Sequence, residues 1–241
     1  MRAFVAQLRT ELTLSLRQGE QVLVSLGIPL LLLVFFSLVD VLPKPAGVDE
    51  PVDFLTPGIL ALAVMSSAMV SLGIGTGFER QYGVLKRLGA TPLGRPRLVA
   101  AKIAMVACLL ALQVTAIVAV ATLLGWRPTG SPALAVPAIA LGTAAFAGIG
   151  LLLAGTLRGT LNLAVCNGLY LVLLLLGGMI IPLERLPGAV ELVARLLPAA
   201  ALSEVLDAAL MGGPQPAAAW AVLAVWAVAA PAVAAAAFQW E

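Results

Sequence analysis

The sequence contains no histidine, only two cysteines and few charged side chains. Histidine is the commonest metal ligand and neutral-pH proton shuttle, so its absence argues against metal-dependent or acid–base catalysis. Charged residues make up 11% of the 241 residues and hydrophobic residues 61%. Cys108 and Cys166 fall within apolar stretches, and their spacing fits no metal motif. The net charge of +2 gives no reason to expect a nucleic-acid partner.

The sequence also lacks the Gly-x-x-x-x-Gly-Lys-Ser/Thr loop with which many ATPases hold phosphate. Any ATP held by such a loop would therefore be bound to another polypeptide, and we expect no cofactor on this chain. Gly73, Gly75 and Gly77 end an apolar run and lack the strand-turn-helix setting of a phosphate site. We predict instead that these glycines allow helices to pack closely.

Six apolar runs of membrane-spanning length make up much of the chain. A helix needs roughly 20 apolar residues to cross a bilayer, and the mean hydropathy of +1.07 is far above that of soluble domains. Six spans leave no room for a separate globular domain, so we predict a single all-α membrane domain over residues 1–241. The runs cover residues 22–42, 54–78, 98–124, 133–157, 161–181 and 217–238.

Residues 1–20 have the pattern of an amphipathic helix. Apolar side chains recur at steps of four, which places them on one helical face, while the polar residues, Glu11 among them, lie mostly elsewhere. We predict a helix in the membrane interface, and the alternative is a charged, partly frayed chain end. The apolar positions are Phe4, Leu8, Leu12 and Leu16.

The distribution of basic residues predicts the orientation, because cytoplasmic loops carry the excess of lysine and arginine. Ten of the 14 lysines and arginines fall on one side of the six runs and four on the other. With an even number of spans, both termini of this multi-pass cell-membrane protein would face the cytoplasm. The ten are Arg2, Arg9, Arg17, Arg80, Lys86, Arg87, Arg95, Arg97, Lys102 and Arg158.

Residues 182–216, between the fifth and sixth runs, are too polar to span a bilayer but contain many leucines and valines. Pro187 and Pro198 stand where helices would begin, and Glu191 with Arg195 makes a favourable i,i+4 pair. We predict two short helices at the outer face. The sequence allows two placements for them, either capping the bilayer or dipping into it.

Three polar residues within or near the runs are candidates for a substrate path: Gln113, Asn162 and Asn167. Their structural alternative is hydrogen bonding between helices. The central parts of the runs contain no Asp, Glu, Lys or Arg. Ion-coupled transporters place such charges inside the membrane, so an ion-driven mechanism is disfavoured.

The segment 79–92, between the second and third runs, reads Glu-Arg-Gln-Tyr-Gly-Val-Leu-Lys-Arg-Leu-Gly-Ala-Thr-Pro. Val84, Leu85 and Leu88 form an apolar patch on a predicted short helix, which Gly89 can end. This patch needs a surface to cover it. Either the membrane interface or a cytoplasmic partner subunit would do so.

This segment resembles the Glu-Arg-x-x-Gly-x-Leu-x-x-Leu-x-x-Thr-Pro pattern of type-2 ATP-binding cassette exporter permeases, the class that exports drugs, lipids and polysaccharides. The similarity extends to the amphipathic start, the six-span layout and the proline-punctuated outer segment, so it covers nearly the whole chain. Gln81 departs from the pattern, because many relatives carry an acidic residue there. This departure bears on the charge pairing expected with a partner.

The resemblance implies a membrane-embedded transmembrane subunit that pairs with a second permease, identical or paralogous, and with two ATPase subunits that hold ATP and Mg²⁺. The loop would be the coupling helix, and a drug-like, lipid or glycan substrate would pass between the first, second and fifth spans of two subunits. The residues implied at the ATPase contact are Glu79, Arg80, Gly83, Leu85, Lys86, Leu88, Thr91 and Pro92.

Two other classes of function compete with this one. A polytopic assembly or regulatory subunit without transport activity would have the same composition. An intramembrane enzyme would need nucleophiles, bases or metal ligands at membrane depth, and this sequence offers no such cluster. We therefore expect the chain itself not to be an enzyme, with ATP hydrolysed by its partner. A neighbouring gene encoding an ATPase would favour the exporter.

Overall fold

The computed structural model describes residues 2–17, 19–39, 50–89, 94–179 and 183–237, and all regular structure within these ranges is helical. The predicted all-α class is therefore confirmed for the described residues. The elements are α1 (Arg2–Arg17), α2 (Gly19–Leu38), α3 (Pro51–Met65), a π-helical segment (Ser66–Ser71), α4 (Leu72–Gln81), α5 (Val84–Gly89), α6 (Arg95–Leu123), α7 (Pro132–Thr156), α8 (Gly159–Leu176), a 3-10 turn (Leu183–Arg185), α9 (Gly188–Ala194), α10 (Pro198–Met211) and α11 (Ala217–Ala237).

Five helices among the described residues are long and apolar enough to cross a membrane. They are Pro51–Gln81, Pro96–Leu123, Pro132–Thr156, Gly159–Leu176 and Ala217–Ala237, and they correspond to the last five predicted runs. The apolar part of α2, Ser25–Leu38, is shorter. Residues 40–42, 181 and 238, where three of the predicted runs end, lie outside the described residues. A total of six spans stays a prediction.

The long helices alternate in direction, so their ends form two layers. At one layer, which we call the basic end, Lys102 near the start of α6 contacts Glu79 in α4, and Arg80 contacts the end of α7. At the opposite end, the loop between α6 and α7 meets the end of α10, where the amide of Gly130 donates to the carbonyl oxygen of Leu210 at 3.1 Å.

Glycines allow α4, α7, α8 and the π-helical segment to approach closely. A Cβ atom on Gly73 would lie 3.0 Å from the carbonyl oxygen of Gly150, and a Cβ atom on Gly77 would clash with the side chain of Asn162. These contacts confirm the packing predicted for Gly73 and Gly77. A Cβ atom on Gly75 would meet no other helix within 4 Å, so the close packing predicted for this glycine is not present among the described residues.

The segment between α8 and α11 forms two short helices, as predicted. Pro187 precedes α9 and Pro198 begins α10. The expected i,i+4 pair is also present, because Arg195 lies 2.8 Å from Glu191. The same guanidinium pairs with Glu204 of α10, so Arg195 joins the two helices to each other.

Helix α10 lies inside the bundle. Ten of its 14 residues are buried, and a Cβ atom on Gly142 would lie 2.9 Å from the side chain of Leu202. Gly142 is ten residues beyond the start of α7, which is about 15 Å along that helix. The first turn of α10 packs beside Gly177, at the end of the shorter α8. Helix α10 therefore packs between the long helices, and the placement of the whole segment relative to the bilayer stays a prediction.

Helix α1 packs along α6. Leu8 and Leu12 pack against the main apolar core, so the protein itself covers this part of the apolar face. Glu11, which the sequence pattern placed among the polar positions, is 5% exposed. The side chains of Phe4 and Leu16 lie outside the described residues, and a location of α1 in the membrane interface stays a prediction.

Candidate functional site

A buried ion cluster joins three helices at the basic end. The Nζ atom of Lys102 in α6 lies 2.7 Å from Oε2 of Glu79 in α4 and 3.0 Å from Oε1 of Glu11 in α1. The Lys102 side chain is 1% exposed, that of Glu11 7% and that of Glu79 32%. Gln7 donates a further hydrogen bond to Oε1 of Glu11 at 2.9 Å. One ammonium group thus ties the N-terminal helix and α6 to the first residue of the 79–92 loop.

The sequence pattern grouped Lys102 with the ten basic residues on one side of the runs, so this cluster was not predicted. A usable signal was present, because Lys102 lies within the apolar run 98–124. An ionisable residue inside a spanning segment marks a functional site by default and calls for a partner of opposite charge. Glu79, at the end of the preceding run, was the nearest such partner in the sequence.

Arg80 anchors the end of α4 on its other side. Its Nη1 atom donates to the carbonyl oxygens of Leu157 at 3.1 Å and Ala154 at 3.3 Å. The last carbonyls of a helix lack partners within the helix and carry the negative end of its dipole, so they suit a guanidinium group. Glu79 and Arg80, adjacent in sequence, therefore fix α4 to α1 and α6 on one side and to α7 on the other.

The loop turns sharply after these two anchors. Gly83 has a φ of +72°, a conformation that favours glycine, and α5 follows directly. Leu85 is fully buried within the chain, so its side chain is not on the loop's outer surface. Tyr82 is 72% exposed. Lys86 and Arg87 are exposed as well.

We call Tyr82, Val84, Lys86 and Arg87 the loop surface, because these four side chains are exposed and follow one another closely. The side chain of Leu88 lies outside the described residues, as do Thr91 and Pro92. The predicted apolar patch is thus divided, with Leu85 facing inward and Val84 outward. The implied ATPase contact stays a prediction for all of these positions.

Asn162 forms hydrogen bonds between helices. It is fully buried, and its Nδ2 atom donates to the carbonyl oxygen of Gly73 at 2.8 Å. Its Oδ1 atom accepts a longer bond from Cys166 at 3.4 Å. Asn167 is exposed on α8, and its side chain donates to the carbonyl of Leu163, four residues earlier. The structural alternative for Asn162 is therefore the one observed.

Gln113 bridges three elements. Its Oε1 atom accepts a hydrogen bond from Ser67 in the π-helical segment at 2.9 Å, and its Nε2 atom donates to the carbonyl of Ser25 in α2 at 2.6 Å. The π-helical segment, a feature that is frequent at functional sites, and Gln113 both line a cavity.

A cavity of about 640 Å³ lies between α1, α2, α4 and α6. One side carries the ion cluster of Glu11, Glu79 and Lys102, and further along lie Ser67 and Gln113. The remaining wall is largely apolar. Of the three polar candidates for a substrate path, the cavity therefore includes Gln113, whereas Asn162 and Asn167 are not among its described lining residues.

A family model described as ABC-2 type transporter matches residues 2–211 of the chain. The chain belongs to this family. The match extends from α1 through α10 and includes the ion cluster, the loop and the two short helices α9 and α10. The ABC-2 permease is therefore a transmembrane subunit of a transporter and a multi-pass membrane protein, as the loop motif predicted. A comparison with curated proteins returned no match.

ABC-2 permeases are membrane subunits that normally work with a separate ATP-binding cassette subunit, which hydrolyses ATP. For this ABC-2 permease, membership in the family supplies the class of protein. The structure shows in addition that the loop before α6 is anchored in the bundle through Glu79 and Arg80.

The buried Asn162 and the exposed Asn167, both on α8, allow a matched comparison of their effects on the stability of this ABC-2 permease. Replacing Asn162 with alanine removes a buried donor and leaves the Gly73 carbonyl without it, so we expect a loss of about 1 kcal/mol in the free energy of unfolding. Asn167→Ala, at an exposed position, should change it by less than about 0.5 kcal/mol. Thermal unfolding in detergent measures both, and equal losses would contradict the role assigned to Asn162.

Proposed function

We propose that this permease is the transmembrane subunit of an ATP-driven exporter, and that its 79–92 loop docks on a separate ATPase subunit that holds ATP and Mg²⁺. The observation that supports the proposal is the double anchoring at the start of the loop. Glu79 is held by Lys102, and Arg80 by the end of α7. A displacement of α5 would therefore act on α1, α4, α6 and α7 together.

Coupling of this kind requires only that each nucleotide state of the ATPase favour one arrangement of the membrane helices. The loop surface suits a protein partner, since it combines an aromatic side chain, Tyr82, with the cations Lys86 and Arg87. Aromatic residues and arginine are enriched in protein interfaces. An acidic rim around an apolar pocket on the ATPase would complement it.

The orientation follows from the basic end. Cytoplasmic loops carry the excess of lysine and arginine, so the basic end would face the cytoplasm, where an ATPase has access to ATP. Helix α1 lies at this end through Glu11, and α11 runs towards it from the opposite end. Both termini would then be cytoplasmic, in the cell membrane.

A second permease, identical or paralogous, would complete the transporter. Helix α8 supports this, because only 22% of its most apolar stretch is buried, compared with 61% for Pro51–Gln81. Its exposed apolar side chains include Leu161, Leu171 and Leu175. They are suited to contact membrane lipid or the second subunit. The substrate, of drug-like, lipid or glycan class, would pass between the two subunits.

Co-expression with the ATPase encoded beside this gene tests the proposal. After purification in detergent through a tag on the permease, mass spectrometry should recover the two chains in equal amounts, and vesicles containing both should transport in an ATP-dependent manner. A regulatory or assembly subunit without transport activity is the competing function. Recovery of the permease without any ATPase would favour that competitor and overturn the proposal.

A further inference from the structure

The cavity beside the ion cluster carries an excess of negative charge. Its charged lining residues among those described are the carboxylates Glu11 and Glu79 and the ammonium group of Lys102, so the net charge is −1 when all three are ionised. Lys102 and Glu11 are almost completely buried, whereas the side chain of Glu79 is one-third exposed. Glu79 is therefore the member of the cluster that a bound molecule can reach.

Two aromatic rings line the same cavity as this carboxylate. Phe78 and Tyr82 are stacked with ring centroids 6.2 Å apart and an angle of 18° between their planes, and both line the cavity. The faces of aromatic rings attract cations, and organic ammonium groups are commonly recognised in this way. The Glu79 carboxylate and the faces of the two rings would therefore both favour a cationic group in this cavity.

The rest of the cavity suits an apolar body. Leu72, Met105, Val106 and Leu109 line it from α4 and α6. Thr76 lines it too, and its buried hydroxyl has no hydrogen-bond partner among the described residues. These apolar walls offer no ligands to a metal ion or another small inorganic cation. The negative net charge of the cavity would repel an anionic lipid headgroup.

We propose that this cavity binds an amphiphilic organic cation, with its charged group beside Glu79 and the Phe78–Tyr82 pair and its apolar part between α4 and α6. The site lies within one subunit and includes Gln113, one of the candidates for the substrate path. The proposal narrows the substrate class of the proposed function and rests on it in that respect. Binding is measured without the ATPase, so the two proposals can fail separately.

Two ions of the same shape and opposite charge test the proposal. Tetraphenylphosphonium and tetraphenylborate are added to the purified permease in lipid nanodiscs, and binding to empty nanodiscs is subtracted. We expect saturable binding of the phosphonium. Glu79→Gln keeps the size of the side chain and the pair between Lys102 and Glu11, and it should weaken phosphonium binding at least about tenfold without weakening binding of the borate.

Two further variants complete the test. Gly75→Leu places an apolar side chain in the cavity, where a Cβ atom meets nothing within 4 Å, and should also weaken phosphonium binding without a change of charge. Glu191→Gln removes a carboxylate at the opposite end of the bundle and should leave binding unchanged. The proposal is overturned if the wild-type protein shows no saturable binding of the phosphonium, if it binds the borate equally well, or if either the Glu79 or the Gly75 variant binds the phosphonium like the wild type.

Discussion

Replacing Lys102 with methionine is expected to lower the free energy of unfolding by about 3–5 kcal/mol. The substitution keeps an unbranched side chain of similar length but leaves Glu11 and Glu79 facing each other without a cation. Both carboxylates lie within 3.0 Å of the ammonium group, and Glu11 is nearly inaccessible to water. A buried charge without a partner of opposite sign is costly. Removing one member of such a cluster is therefore more destabilising than replacing all of its charges with neutral groups. Thermal unfolding of the purified permease in detergent measures the loss.

Two comparisons separate this effect from a general loss of charge. Arg127→Met removes an exposed cation in the loop between α6 and α7, so it should change stability by less than about 0.5 kcal/mol. The triple variant Glu11→Gln, Glu79→Gln and Lys102→Met removes all three charges together and should regain much of the lost stability. If Lys102→Met alone unfolds like the wild type, the buried cluster does not hold these helices together.

The periodicity and length of the apolar runs predicted most of the helices. Runs of about 20 apolar residues admit few other structures in a membrane, and the last five correspond to described helices that are long enough to cross one. The short outer helices were predicted from Pro187 and Pro198, since proline is favoured at a helix start and disfavoured inside. These are local signals, readable from neighbouring residues along the chain.

Contacts between distant residues could not be predicted in the same way. Glu11 lies on the polar side of a helix that looks purely amphipathic in sequence, and it is buried because α6 brings Lys102 against it. The inward position of Leu85 has the same kind of cause. The sequence shows that Val84 and Leu85 are both apolar, but only the turn at Gly83 decides which of them faces the protein.

The loop surface carries the function that we propose, so a change of its charge should uncouple the permease from its ATPase. Arg87→Glu reverses the sign of an exposed side chain on α5 and places like charges opposite an acidic partner surface, which costs several kcal/mol in protein interfaces. We expect at least about tenfold less ATPase to co-purify with this variant. Leu85→Asp would be a poor probe, because Leu85 is fully buried and its loss would disturb the loop itself.

Arg127→Glu is the matched control, since it reverses an exposed arginine at the opposite end of the bundle. If the basic end faces the cytoplasm, Arg127 has no contact with the ATPase, and the control should recover as much ATPase as the wild type. Both variants should also unfold at the wild-type temperature, because neither side chain is buried. The reverse result would be loss of the ATPase from Arg127→Glu and its retention by Arg87→Glu. It would place the ATPase at the opposite end of the bundle and overturn both the orientation and the role of the loop.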